Sequence, residues 1–370
     1  RGGGLVAARV LRRRFRLPHD GGLLGLGSGG YSEVWTLDPA TGETTRTSLG
    51  DVGLPRGAGN VQSLLAAGGD VYAGGSMVTG VHHVDAGEFE QFLTAGEPKV
   101  MRFVDGRVYQ AVYPGAGIVE YDPGTGERRD LAWIGEQQNR PRSMHYHEPT
   151  GYLLVGTRPD KGYIGGAITA YDLDGDELVS VDRDVVPDQS VTGLASIGGT
   201  VFLGTEIYGG AGTEPVADSA RVAAWDPRER TVCWETTPYD DAHTIRGLTV
   251  LDGLVYGHAS GGRLFGIDPG TREVVVEGSF DDSIDRGQEG REAHYREMAT
   301  GDLRAHGGRI YGVTAQRAVV FDPERGEVET LQEGLRGDEA WHNFPQVAID
   351  DDGSLYVAEG KDLLQVEIAR

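Results

Sequence analysis

The sequence predicts an all-β chain, a β-propeller of four-stranded antiparallel blades around a central channel. Three observations carry that prediction. A short apolar strand running into Asp-Pro, or a worn copy of it, recurs along the chain; a Gly-Gly or Asp-Gly turn with an alternating strand precedes each copy; and no long segment shows a helical period.

The Asp-Pro copies are clearest in "VWTLDPATGE" ending at Glu43, "YPGAGIVEYDPGTGE" at Glu127, "LFGIDPGTRE" at Glu273 and "AVVFDPERGE" at Glu327. Looser ones are "VAAWDPRER" to Arg230, "AITAYDLDGDE" to Glu177 and "VHHVDAGEFE" to Glu90. Their aspartates, Asp38, Asp85, Asp122, Asp172, Asp226, Asp268 and Asp322, lie 37 to 54 residues apart. A drifting period of this size implies a fixed structural unit with loops of variable length. The preceding signal appears as "GGDVYAGG" at Gly68, "DGRVYQAV" at Asp105, "GGTVFLGT" at Gly198, "DGLVYGHA" at Asp252 and "GGRIYGVT" at Gly307.

Each signal has a local cause. Paired Gly or Asp-Gly supplies the positive φ of a tight hairpin, and Val-Tyr-x-Gly alternates β-branched and aromatic residues. The small residue after the tyrosine allows neighbouring blades to approach. Proline then ends the next strand, and Thr-Gly-Glu opens the turn to the outermost one. Counting strand pairs, including "GGLLGLGSGGYSEVWTLDP" at the start and "DGSLYVAEGKDLLQVEI" at the end, predicts eight blades, with seven as the alternative. The last unit lacks an outer strand and the chain starts with a spare one, "LVAARVLRRRFRL", so the termini are expected to pair and close the ring. Residues 1–370 read as a single domain, with "RGQEGREAHYREMAT", Arg286 to Thr300, as the one plausible helical insert.

Composition agrees with dense turns, at 59 Gly and 16 Pro, and with an adequate core at 38% apolar residues. No apolar run approaches the roughly 20 residues of a membrane helix. The net charge of −23 argues against nonspecific binding of nucleic acid or anionic membranes, which needs clustered basic residues. Only three of the 34 basic residues are lysines. The chain begins at Arg1 without methionine or signal peptide, so either a leader has been removed, which fits secretion, or the start has been trimmed. The single Cys233 excludes an internal disulfide and reads as a small buried hydrophobe on a strand.

Innermost strands line a propeller's channel. Those beginning "GNVQSLLAAG", "GEPKVMRFVD", "NRPRSMHYHE", "DQSVTGLASIG", "HTIRGLTVLD", "GDLRAHGG" and "NFPQVAIDDDG" place polar residues first and apolar residues later. Asn60, Gln62, Lys99, Arg140, Arg142, Gln189, His243, Arg246, Arg304, Asn343 and Gln346 therefore become channel candidates. Several cations in one pore favour a carboxylate or sulfate ligand, because Arg presents a bidentate fork. The plain alternative is that each Arg pairs with a neighbouring acid and neutralises the channel. Two long loops, "TRPDKGYIGGA" at Thr157 and "TEIYGGAGTEP" at Thr205, interrupt the same hairpin in consecutive blades. Their Tyr163 and Tyr208 could stack on a sugar ring, or the loops could simply pack on each other.

The motifs "YPGAGIVEYDP", "QNRPRSM", "VPDQSVTGLA" and "GGAGTEP" resemble, in order and spacing, a broad group of bacterial propellers described as PQQ-like or WD40-like. The resemblance runs from about Asn60 to the end and implies a fold and a frequent association with carbohydrate-binding modules. It supplies no catalytic residue. The adjacent cysteine pair that resembles a quinone clamp is missing, and no cofactor is expected.

Among ten histidines, "HYH" places His145 and His147 on one strand face at a spacing that can bind metal, but no third ligand is evident and a structural role is favoured. Serine-hydrolase, P-loop and dinucleotide motifs are absent; "GLGSGG" at Gly25 sits in a hairpin with no helix after it. Two functions remain. In a lyase acting on a uronate-containing glycan, Arg246 with Arg140 and Arg142 would neutralise the substrate carboxylate while His243 or Tyr208 removes the adjacent proton; Lys99, Tyr163, Gln189 and Arg304 would bind substrate. The alternative is a non-catalytic glycan- or protein-binding propeller. Either is expected to meet an acidic glycan or other small anionic ligand as a monomer, without nucleic acid or membrane. Arginines paired with acids and shielded from solvent would favour the second.

Overall fold

The computed structural model describes residues 14–19, 22–27, 33–48, 59–280, 300–314, 316–335, 346–359, 362–366 and 368. Their strands, β1 to β31 in chain order, form seven four-stranded antiparallel sheets and one of three strands, with no helix among the described residues.

Seven sheets close a ring. The innermost strands are β5 (Ser63–Ala67), β9 (Glu97–Val104), β13 (Gln138–His147), β17 (Ser190–Ile197), β21 (Ile245–Leu251), β25 (Leu303–His306) and β29 (Val347–Ile349). Each lies against the next, and β29 returns to β5. The propeller therefore has seven blades, the alternative count. The eighth expected blade is the sheet of β1 (Arg14–His19), β2 (Gly22–Gly27), β3 (Glu33–Leu37) and β4 (Thr44–Ser48), which pack chiefly on one another outside that ring. Of the N-terminal segment expected to pair with the last unit, residues 5–13 lie outside the described residues. Among the described residues β1 pairs with β2, and the last blade holds β29 with β30 (Leu355–Glu359) and β31 (Asp362–Val366). Turn signals identify a hairpin but not the sheet it packs against, which is why they overcount. The helical insert lies outside the described residues apart from Thr300.

The repeat's aspartate has a function beyond the proline beside it. In Asp38, Asp122, Asp172, Asp226, Asp268 and Asp322, the carboxylate accepts the backbone N–H two residues on, at 2.7 to 3.1 Å. This local bond fixes the turn into each outermost strand. Close approach between blades explains the glycine of the alternating strand: a Cβ at Gly156 or Gly204 would lie 2.8 Å from the Val191 carbonyl oxygen or 2.9 Å from that of Ile245, both in the next blade. Apolar side chains fill the space between successive sheets, as where Leu154 and Ile168 meet Val191, Leu203 and Trp225.

Candidate functional site in the central channel

Four consecutive innermost strands carry a bulge near their starts. The register passes over Lys99 in β9, Arg142 in β13, Thr192 in β17, and Gly247 with Leu248 in β21. A bulge breaks strict alternation and re-aims a side chain, so side chains that would point to opposite faces can gather on one side. In β13 the register also shifts between Gln138 and Arg140, which lets Arg140 and Arg142 approach the same charges on either side of Pro141.

The centre of that gathering is an acid that the strand starts did not reveal. Glu206 ends β18 (Thr200–Glu206), is 1% exposed, and meets Arg158 Nε at 3.1 Å, Arg142 Nε at 3.5 Å and Arg246 Nη2 at 3.6 Å. Burial alone would raise its carboxyl pKa; Arg158, Arg142, Arg246 and Arg140 outweigh that and hold it below the ordinary value. Arg142 and Arg246 are buried with it. The signal was present in the repeats. "VGTR" and "LGTE" put Arg158 and Glu206 at the same position of adjacent blades, after Gly156-Thr157 and Gly204-Thr205.

Around this cluster the other candidates separate. Lys99 is buried, pairs with Glu97 at 2.8 Å and donates to Gln62; burial, together with Arg140 and Arg142, lowers its pKa to about 8 despite Glu97. Arg140 lies half-buried over the Tyr113 ring, 4.4 Å from its centroid. Tyr208 Oη is 3.1 Å from His243 Nδ1, and Arg158 stacks over the Tyr208 ring at 5.7 Å. Gln189 is tied into the fold: Thr205 donates to its Oε1 and its Nε2 donates to the Ser219 carbonyl at 3.1 Å. Thr157 and Gln138 repeat the same bond one blade earlier. The two long loops pack on each other, with Gly210 N donating to Tyr163 O at 2.8 Å and Gly162 N to Ala211 O at 3.1 Å, leaving the Tyr163 side chain 46% exposed.

Further along the innermost strands the channel widens into a cavity of about 250 Å³. Arg304 lines it, with Nη2 at 3.3 Å from Asp302 and Nη1 donating to Leu303 O. Arg102, absent from the sequence candidates, lines it too. Arg102 pairs with Tyr109 and Arg304 with Tyr311, the tyrosines of "DGRVYQAV" and "GGRIYGVT", so the two arginines occupy equivalent positions. At the same level His145 bonds Ser196 Oγ through Nε2 at 2.8 Å; burial, then Arg102, lowers its pKa to about 3, so it is neutral. His147 bonds Thr150 and the Gly198 carbonyl. Neither histidine joins a metal-binding group among the described residues. Cys233 is exposed on β20 (Thr231–Thr236), correcting the expected burial: that strand is outermost in its blade. Asn343 lies outside the described residues.

No protein-family model matches the chain, and no curated protein does. Among solved structures, a chain in "Crystal Structure of Mitotic Checkpoint Complex" is similar with a TM-score of 0.60 and 13% identity, over 84% of this chain and 87% of that one. At that identity the likeness is one of fold.

Proposed function

We propose that the protein is a non-catalytic binding propeller that takes a carboxylate-bearing ligand, in the first instance an acidic glycan, across the channel mouth. One observation carries this reading: Arg142 and Arg246, the arginines a lyase would use to neutralise a substrate carboxylate, are buried and closed around Glu206. An internal ion cluster of this kind is part of the fold. What remains accessible is Arg140 on its Tyr113 platform, with exposed Tyr163 on the neighbouring loop. An arginine held on an aromatic face and a tyrosine at low entropic cost suit recognition of a sugar acid. The resemblance of the sequence to bacterial PQQ-like and WD40-like propellers that accompany carbohydrate-binding modules supports the glycan. The similar fold in a structure named as a complex supports binding as such.

The lyase reading keeps one specific observation, the Tyr208–His243 hydrogen bond beside Arg158. In β-elimination one of that pair would take the proton next to the carboxylate, and the electron pair would form the C=C bond as the glycosidic oxygen leaves. Electrophoresis through gels containing polyuronates, with absorbance of unsaturated product read in parallel, separates the readings. The binding proposal predicts retardation that Arg140→Ala reduces, and no absorbance. Product absorbance would establish the lyase, and neither signal would remove the carboxylate ligand altogether.

A further inference from the structure

The far level of the channel holds an arginine whose charge no nearby carboxylate meets among the described residues. Arg102 has no carboxylate partner among the described residues, although the chain carries 57 acids against 34 bases. An arginine left without an acid in so acidic a protein is not explained by scarcity. Arg304 shares the cavity, and its only ion-pair partner among the described residues is Asp302. Burial, then repulsion from Arg304, lowers the Arg102 pKa to about 10, which still leaves its guanidinium charged at neutral pH. Among the described residues the cavity lining therefore carries Arg102, Arg304 and, shared with the Glu206 cluster, Arg142 against the single carboxylate of Asp302, a net positive charge inside a partly enclosed space. Such a charge needs a counterion, and Arg favours oxyanions through paired N–H donors.

Size and direction narrow the class. A cavity of about 250 Å³ lies below the range that encloses drug-sized ligands. Strands β9 and β25 are three blades apart in the ring, so Arg102 and Arg304 reach the channel from different sides. A ligand serving both must offer acceptor oxygens in divergent directions. A tetrahedral group does this, whereas a carboxylate presents both oxygens along one edge. Ser196 and Thr249 add hydroxyls to the lining.

We propose that this level of the channel binds a tetrahedral oxyanion, phosphate or sulfate, free or as the end group of a small ester, between Arg102 and Arg304. The site is independent of the glycan reading at the mouth. Thermal unfolding of the full chain in inorganic phosphate, inorganic sulfate and glycerol phosphate, against chloride at matched ionic strength, tests it. The proposal predicts a saturable rise in Tm with at least one of the three that chloride does not reproduce, since a ligand bound only by the native state stabilises it. The ester arm distinguishes a free ion from an end group. Arg102→Leu abolishes the rise without lowering the unliganded Tm, and Arg102→Lys, which keeps the charge but loses the fork, raises the half-saturating concentration about tenfold. Arg140→Ala leaves the rise intact, so failure at the mouth and failure here are distinguishable. The absence of any saturable rise beyond chloride, or an undiminished rise in Arg102→Leu, would overturn the site.

Discussion

The mouth and the far level of the channel are both furnished with arginine, and they treat it in opposite ways. At the mouth Arg142, Arg158 and Arg246 close on a single buried glutamate. Further along, Arg102 stands in a cavity whose lining acid, Asp302, pairs with Arg304, and it has no ion-pair partner of its own among the described residues. The contrast teaches that the number of cations in a pore says little about ligand binding. What matters is whether the fold has already answered them. A glutamate surrounded by guanidiniums is a structural centre, whose removal leaves buried charges unpaired. A guanidinium beside an open space can still take a partner.

The contrast can be broken first at Glu206. Glu206→Gln is expected to cost about 3–5 kcal/mol in urea unfolding, because three arginines lose their shared acid at once. The pH dependence follows with a definite sign. The folded pKa of Glu206 is depressed, so its contribution is fully present above the ordinary glutamate value and is lost as pH falls through the lower folded one. The stability gap between wild type and variant should therefore narrow below about pH 4. A constant gap down to acid denaturation would show that Glu206 acts through packing instead.

The loop ledge beside the mouth offers a smaller change. A Cβ at Gly210 would lie 1.8 Å from the Asp160 carbonyl oxygen, a backbone atom that cannot swing away. Gly210→Ala should cost about 1–3 kcal/mol and separate the two loops. Scanning calorimetry would register the loss, and polyuronate gels would show weaker retardation if the ledge carries Tyr163 into the binding surface. Arg140→Ala should act on binding alone: about 1–3 kcal/mol weaker for an acidic glycan, with a neutral glycan untouched, by titration calorimetry. Deleting residues 1–58 is expected to change least. The ring closes through β29 and β5, and a cooperative transition with nearly the wild-type midpoint should survive. Loss of cooperativity would make the N-terminal sheet part of the propeller's stability.

The fold was legible because its signals are local. Asp122 in "EYDPGTGE" bonds the backbone two residues on, and any sequence reading that finds the turn finds the strand before it. Ring closure is not local, and the eighth blade was lost there: nothing in "GGLLGLGSGG" states which sheet it packs against. At the site, strand starts named Arg140, Arg142 and Arg246, which all act on Glu206. They could not show Glu206, which ends the second strand of its blade, one blade on from Arg142 and Arg158 and one before Arg246. Gln189 shows a related ambiguity. A polar residue at a strand start can serve the channel or the adjacent hairpin, and here Thr205 claims it. Arg102 required aligning Tyr109 with Tyr311 and counting back across each hairpin, a step available in the sequence once the repeat is taken as register.

The most direct test compares Glu206→Gln with Arg102→Leu in one urea-unfolding experiment, in chloride buffer free of phosphate and sulfate. If Glu206 is the centre that holds the mouth arginines together and Arg102 has no such centre, the two variants should separate in sign. Glu206→Gln falls by about 3–5 kcal/mol, whereas Arg102→Leu stays level or gains. Equal losses in both variants would contradict the account, because Arg102 would then be as firmly bound into the fold as the cluster at the mouth.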